Sequence, residues 1–399
     1  SINYIMVVKK ITKKITKKLN VIKKNTKQDI IIKDPLYKQI LVKYIHKDIL
    51  DSKEFQRLRY IKQTSFSDSV YPSASHSRFT HSIGVYHLMR KVLSNKLNVV
   101  TKQEKNNLML AGLLHDLGHG PFSHIWEHIF PDFDHEEMTH KILRKKGYNE
   151  VVDILQKKTP FWQLITSTID MDKLDYMARD SHFSGVSYGV AEVDFIIQHM
   201  YVKDNKLVIK PSAISSVEDL ITQRVNLFKT VYLHKTPIER DFVLENIFKR
   251  VRELLNNGVV VEMNKNLRPF FDGTNTDDNF LALNDVVVMA NVFEWCDHKD
   301  KLLSKFCNMF TSRKKFNVKN ITHHKVSKTK IKQAIKKAGL DLDYHYKQVS
   351  IPIEIIQTPI HVEIEGKLVD IEKLSELIKF YKTQKWSVDF VIYPKEIKV

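Results

Sequence analysis

Three histidines and an aspartate crowd into one short run of this chain, Ala111-Gly-Leu-Leu-His-Asp-Leu-Gly-His-Gly-Pro-Phe-Ser-His124. Imidazole nitrogens and carboxylate oxygens together suit divalent ions of borderline hardness, and a bound ion offsets the cost of burying such groups among leucines. At about 100° per residue, His115, Asp116 and His119 share one arc if the apolar helix beginning near Thr101 continues through them. Gly118, Gly120 and Pro121 then break that helix and present His124. A second reading stays open on this evidence: a helix C-terminus whose polar residues cap carbonyls beside a Gly-Pro turn. Two further stretches supply residues of the same kind. Ser75-His-Ser-Arg-Phe-Thr-His81 opens a helix, and Asp172, Lys173, Tyr176 and Asp180 fall on another at offsets 0, 1, 4 and 8. That is again an arc of about 100°. A solvated charged face accounts for Lys173 and Asp180 equally well, and for Tyr176 less well.

These residues need elements to hold them. Ile30–Ile32 reads as a short strand, and the run from Asp51 to Ile61 as helical, with Phe55, Leu58 and Ile61 inward. Thr101-Lys-Gln-Glu104 is a capping box that starts the central helix. Asp134-His-Glu-Glu137 resembles a second box and opens a helix ending at Gly147. His135 would then lie in a first helical turn, where the macrodipole disfavours imidazolium. A neighbouring carboxylate has to offset this, and Glu127 is the candidate. Tyr201–Pro211 reads as a hairpin around Asp204-Asn205. An amphipathic pattern from Ser215 to Leu255 carries Arg224 and Tyr232, and Asn256-Asn-Gly258 ends it. Residues 275–303 read as helical, 313–337 as basic, 351–356 and 360–364 as strands, 371–381 as a helix and 388–393 as a strand. The fold class expected is mainly α. A basic tail over 1–28 precedes a helical catalytic core over 29–257 and a helical and α+β lobe over 258–399 for regulation or oligomerisation.

The 399 residues carry a net charge of +18, and half of that excess lies in residues 1–28, where nine lysines stand without one acid. Ile11, Ile15, Leu19 and Ile22 there follow helical spacing. The tail is expected to be solvated, to touch nucleic acid or anionic lipid, or to act in targeting. Cys296 and Cys307 show neither metal-ligand spacing nor a disulfide framework, which points to a reducing compartment: the cytoplasm, with the nucleus as the other option. No stretch is apolar and long enough to span a membrane.

His81, His115-Asp116 and Asp172, in that order, resemble the metal set of HD-domain phosphohydrolases. The runs Phe55–Gln63, Tyr71–Val85, His115–His124 and Asp172–Asp180 resemble, more narrowly, the deoxynucleoside triphosphate triphosphohydrolases, in the branch that joins SAM and HD domains in animals. No SAM domain is expected ahead of the core here. The resemblance implies an HD-domain helical core and one divalent ion (Fe, Mn, Zn, Ni or Mg) on His81, His115, Asp116 and Asp172, with a second Mg on the phosphates. It implies hydrolysis of a dNTP to deoxynucleoside and tripolyphosphate by water attack at the α-phosphorus. His135 matches the proton donor to the leaving group, supported by His119, His124 and Glu127, the last standing where the family has Asp. Arg78, Lys173 and Arg224 match phosphate clamps, with Tyr176 beside them in the substrate site. Tyr232 matches an aromatic packed on C2′, and Gln63 and Asp180 match partners of the 3′-hydroxyl. Leu233, however, replaces a polar residue near the base. Asp51, Gln56 and Arg59 match residues that read an activating GTP or dNTP at a subunit interface, which implies a homo-oligomer, dimer or tetramer. Ile30 departs from that pattern, replacing a lysine. Two rival readings remain at this point: another phosphohydrolase of the same fold, a nucleotidase or phosphodiesterase, and a nucleic-acid-binding module using the Lys-rich tail and the basic region 313–337.

Overall fold

The computed structural model describes residues 28–95, 99–189, 192–312, 316–322, 326–384 and 386–398. The basic tail therefore lies outside the described residues, apart from residue 28. The chain divides into two compact units, residues 1–51 and 52–399, and position 257 falls inside the second. In the first unit, strands β1 (Ile30–Asp34) and β2 (Lys38–Val42) form an antiparallel hairpin. The Asp34 carboxylate accepts the Leu36 and Tyr37 N–H groups at 2.9 and 3.0 Å and so closes the turn. A short helix follows at Lys47–Leu50, and Asp51 pairs with Lys47 at 2.5 Å.

The second unit is mainly helical. Its principal helices are α1 (Arg78–Val92), α2 (Lys102–Leu114), α3 (Ile125–Ile129), α4 (His135–Lys145), α5 (Met171–Ser184) and α6 (Ile214–Leu227). After them come α7 (Lys235–Asn256), α8 (Asp285–Trp295), α9 (Lys301–Thr311), α10 (Lys328–Lys337) and α11 (Glu376–Thr383). Among the described residues, no helix is long and apolar enough to cross a membrane. Strands β3 (Met200–Lys203) and β4 (Lys206–Ile209) turn at Asp204 and Asn205, whose positive φ values of 50° and 57° suit a two-residue hairpin. β4 pairs in parallel with β7 (His361–Ile364), which pairs with β8 (Lys367–Asp370), so one four-stranded sheet joins segments from both sides of residue 257. A second, antiparallel sheet has the order β5 (Phe316–Asn320), β9 (Trp386–Pro394), β6 (Lys347–Ile353). Ile331 and Ile335 of α10 pack on its Val391 and Tyr393.

The core that positions the site is α1 packed between α2 and α5. Val85, Leu88 and Met89 of α1, Leu113 and Leu114 of α2, and Leu174 and Met177 of α5 are all essentially inaccessible. Such side chains each contribute about 1.5–3 kcal/mol by leaving water. The capping box at α2 forms as expected: Thr101 accepts from Glu104 N at 3.2 Å, and Glu104 accepts from Thr101 N at 2.7 Å.

Two helical expectations are corrected. The central helix stops at Leu114, and His115 is its C-cap, so Asp116 and His119 lie on tight turns rather than on a helical arc. The cause is packing. Gly118 sits where a Cβ would lie 2.2 Å from the His135 carbonyl, and its N–H donates to Thr139 Oγ1 at 2.8 Å, which ties the chain to α4 and out of helical register. The run 51–61 is a short helix, Lys53–Gln56, passing into a 3₁₀ turn, Arg57–Tyr60, although Phe55, Leu58 and Ile61 are fully buried as expected.

Gly84 marks the crossing of α1 and α5. A Cβ there would lie 1.9 Å from Asp175 Oδ1 and 2.4 Å from Arg179 Nη2, both part of a fully buried ion pair. Alanine gains up to about 1 kcal/mol of helix propensity over glycine, whereas displacing that pair costs about 1–3 kcal/mol by overpacking and more if the bonds break. Gly84→Ala is therefore expected to lower the urea midpoint at constant m.

Candidate active site

Asp172, at the start of α5, and His81, from the buried side of α1, define the centre. His81 Nδ1 lies 2.8 Å from Asp175 Oδ2; a carboxylate only accepts, so Nδ1 carries the hydrogen and Nε2 faces Asp172 Oδ1 at 3.0 Å and Asp116 Oδ2 at 3.8 Å. His115 Nδ1 is 3.1 Å from the Gly112 carbonyl and donates to it. Its buried Nε2 makes no hydrogen bond and lies 3.3 Å from Asp116 Oδ1 and 3.5 Å from Asp172 Oδ1. Ligand atoms of His81, His115 and Asp172 fall within 4.8 Å of one another. Two imidazole nitrogens with their lone pairs turned toward two carboxylates fit a divalent cation, and the Nδ1 bonds fix the tautomers such a ligand set needs.

A proton competes for the same place. Burial opposes a charged His81, yet hydrogen bonds to Asp172 and Asp175 and the charges of Asp175 and Asp116 carry its pKa up to about 10. His115 is raised as well, burial being outweighed by Asp116 and Asp172. Against the same burial, Arg78, His115 and His119 hold Asp116 well below the carboxylate range, and His115 and His81 hold Asp172 there.

Beside this cluster, His119, His124 and His135 converge. Glu127, on α3, joins them. Its Oε1 lies 2.6 Å from His135 Nδ1 and accepts the His135 N–H at 3.1 Å, and its Oε2 lies 3.3 Å from His124 Nδ1. Asp134 caps α4 by accepting from Glu137 N at 2.7 Å, so His135 does occupy the first turn and Glu127 supplies the negative charge that position favours. Burial works against the Glu127 carboxylate, but its bonds to His124 and His135 hold it far below its ordinary range. Burial and the charge of Arg78 keep His119 neutral, and its ring stacks on His135 at 4.0 Å and 18°. Stacked imidazoles direct their in-plane lone pairs side by side rather than to one point. This trio therefore suits proton handling better than a shared ion.

Both clusters open on one cavity of about 610 Å³. Of the expected substrate residues, Gln63, Arg78, Lys173, Tyr176, Asp180 and Tyr232 line it and Arg224 does not. Arg224 donates instead to the Ile355 carbonyl at 2.8 Å. Arg78 already holds Asp116 Oδ2 at 2.6 Å, and Lys173 holds Asp170 at 2.9 Å. Burial opposes the Lys173 charge, and Asp170 and Asp172 more than restore it. Tyr232 OH donates to Asp180 Oδ2 at 2.7 Å, while Asp180 Oδ1 meets His76 Nε2 at the same distance. Burial and the Asp180 charge keep the Tyr232 phenol protonated. Leu233 is buried. Gln56 accepts from Arg59 Nε at 2.7 Å, and the Arg59 guanidinium lies 3.5 Å from the Phe79 ring centroid; Asp51 belongs to the other compact unit.

Sequence reasoning missed Asp175, Arg179, His76 and Ser123. Asp175 and Arg179 are an i,i+4 pair inside α5, bonded at 2.9 and 3.0 Å, and that spacing was the available signal. Ser123 accepts from Arg78 Nε at 2.7 Å.

Residues 78–180, the stretch from Arg78 through Asp180, match the family model "HD domain". Over 93% of both chains this protein is 28% identical to an uncharacterised protein of Bacillus subtilis. It is 32% identical to a deoxynucleoside triphosphate triphosphohydrolase homologue of Dictyostelium discoideum over 57% of this chain and 51% of that one. To the deoxynucleoside triphosphate triphosphohydrolase of Homo sapiens it is 28% identical over 55% and 45%. It thus spans about half the length of these named enzymes. The crystal structure of a phosphohydrolase from Bacteroides thetaiotaomicron superposes with a TM-score of 0.85 at 29% identity, covering 92% of this chain and 100% of that one. The comparisons thus place an HD-domain match on the stretch that carries His81, His115, Asp116 and Asp172. The chain is similar to a solved phosphohydrolase over most of its length and to deoxynucleoside triphosphate triphosphohydrolases over about half of it.

Proposed function

We propose that this protein hydrolyses deoxynucleoside triphosphates to deoxynucleoside and tripolyphosphate. The observation that carries the reading is the meeting of His81, His115, Asp116 and Asp172 with the Glu127–His135 pair at a cavity whose wall also holds Tyr232 on Asp180. A divalent ion bound by the first four residues supplies Lewis acidity toward a phosphate oxygen and activates water near neutral pH. The identity of the ion among Fe, Mn, Zn, Ni and Mg, and the presence of a second Mg on the phosphates, are parts of the proposal that this N/O set does not select between.

The chain's own residues do the rest. Arg78 and Lys173, each fixed by a carboxylate partner, offer their remaining N–H groups to the triphosphate, with Tyr176 beside them and Arg224 contributing its charge from behind. Water oxygen bonds to the α-phosphorus as the bond to the 5′-oxygen breaks. His135, held through Nδ1 by Glu127, protonates that oxygen and regains the proton that the attacking water gives up, and His119 and His124 complete the proton-handling group. Tyr232, held by Asp180, forms the wall against C2′; a 2′-hydroxyl would lose water there and find no partner. Gln63 and Asp180 meet the 3′-hydroxyl. Activation by GTP or a dNTP through Asp51, Gln56 and Arg59, assembly into a dimer or tetramer, nucleic-acid contact by the Lys-rich tail, and a cytoplasmic or nuclear setting belong to the same proposal and rest on resemblance and composition.

Product analysis tests it. Purified protein incubated with each dNTP and a divalent ion, with and without GTP, is expected to release tripolyphosphate and a deoxynucleoside, and to act far more slowly on ribonucleotides. Release of orthophosphate instead would assign a nucleotidase, and hydrolysis of neither would remove the enzymatic reading.

A further inference from the structure

We infer that Asp285, working with Arg57, is a positioning residue that holds the loop His119–Ser123 in the conformation the proton-handling histidines need. The inference rests on the proposed activity for its kinetic readout and on the geometry for everything else. That loop passes through Phe122 at φ 55° and Ser123 at φ 61°, a left-handed backbone that non-glycine residues keep only where their surroundings enforce it. The enforcement comes from far along the chain. Asp285, in the first turn of α8, accepts the Phe122 N–H on Oδ1 at 2.7 Å and the Lys62 N–H on Oδ2 at 2.9 Å. One buried carboxylate thereby fastens two loops together.

Arg57 works from the same side. Its Nη1 donates to the His119 carbonyl at 2.8 Å and its Nε to the Leu283 carbonyl at 2.6 Å, with the guanidinium over the Phe280 ring at 4.3 Å. Both Asp285 and Arg57 are 5% exposed, and neither lines the cavity. Their effect must pass through the loop. Ser123, held at its left-handed turn, donates to the Lys62 carbonyl and accepts from Arg78 Nε, both at 2.7 Å, and Arg78 in turn holds Asp116. Thr139 fastens the loop's other side by accepting the Gly118 N–H. The region beyond residue 257 thus contributes directly to the geometry of the site.

Asp285→Asn keeps shape and volume but presents an NH₂ to one of the two backbone donors. Loss of such bonds is expected to speed amide hydrogen exchange at Phe122 and Lys62 by about tenfold or more. Loosening of the loop by about 1 Å is expected to lower kcat about 10²-fold, with KM within about threefold and bound metal unchanged. Val288→Ala, at a fully buried position of the same helix that makes none of these bonds, is the comparison: it lowers the melting midpoint yet leaves kcat and the two exchange rates near wild type. Arg57→Lys, which keeps the charge but gives up the forked pair of carbonyl bonds, reproduces the pattern and carries the test if the Asn variant does not fold. Unchanged exchange at Phe122 and Lys62, or a kcat loss no greater than that of Val288→Ala at matched stability, overturns the inference. A wild-type protein without hydrolase activity would remove the proposed function while the exchange measurement still decides the clamp.

Discussion

Asp172→Ala is expected to abolish both metal retention and turnover, with bound ion falling well below one per chain and kcat dropping by about 10³-fold or more, some 4 kcal/mol of transition-state stabilisation. Asp172 reaches both imidazoles with one oxygen, Oδ1, at 3.0 Å from His81 and 3.5 Å from His115, whereas Asp116 does so with two different oxygens at 3.8 and 3.3 Å. The other candidate, Asp116, is already shared with Arg78 at 2.6 Å and His119 at 3.3 Å, so it cannot take over the charge that Asp172 supplies. Elemental analysis together with turnover measures the two losses. Full activity with the ion still bound would remove Asp172 from the ligand set. The wild type adds a pH signature. With a folded pKa of about 10 against an unfolded value near 6.5, protonated His81 contributes stability that is complete below the unfolded value and is lost as pH rises toward 10. A cation replaces that proton, so the gain in melting temperature on adding metal is expected to be larger at pH 9 than at pH 6.

The parts of this site legible in sequence are those written locally. The Thr101–Glu104 box, the Asp134 cap and the Asp204-Asn205 turn depend on residues within four positions of one another, and each forms. Asp172, Lys173, Tyr176 and Asp180 share a face because α5 is regular throughout. The end of α2 at Leu114 was not legible, since Leu113, Leu114 and Leu117 continue a helical pattern and only contact with α4 stops the helix. Nor were the parallel pairing of Ile209 with Val362 and the bond from Asp285 to Phe122, which join residues more than a hundred positions apart. Such contacts depend on packing that no local window contains. Asp175 lies between the two cases. Its pairing with Arg179 is local, but its purpose, orienting His81, appears only when α1 lies against α5.

Glu127→Gln is expected to lower kcat by about 10²–10⁴-fold with KM within about threefold, because the change removes a charge rather than a contact with substrate. Glutamine fills the same space and can still accept from one partner. It cannot accept from His124 and His135 at once as the two Glu127 oxygens do, and it puts no negative charge at the N-terminus of α4. His135 Nδ1 then faces a neutral partner in a turn whose dipole favours negative charge. A better leaving group isolates the effect. An aryl phosphodiester whose phenolate departs without a proton does not need His135 as acid, so the deficit of the variant should shrink toward wild type on that substrate and stay large on a dNTP. Equal losses on both would mean that Glu127 only shapes the loop, and the proton would have to come from elsewhere.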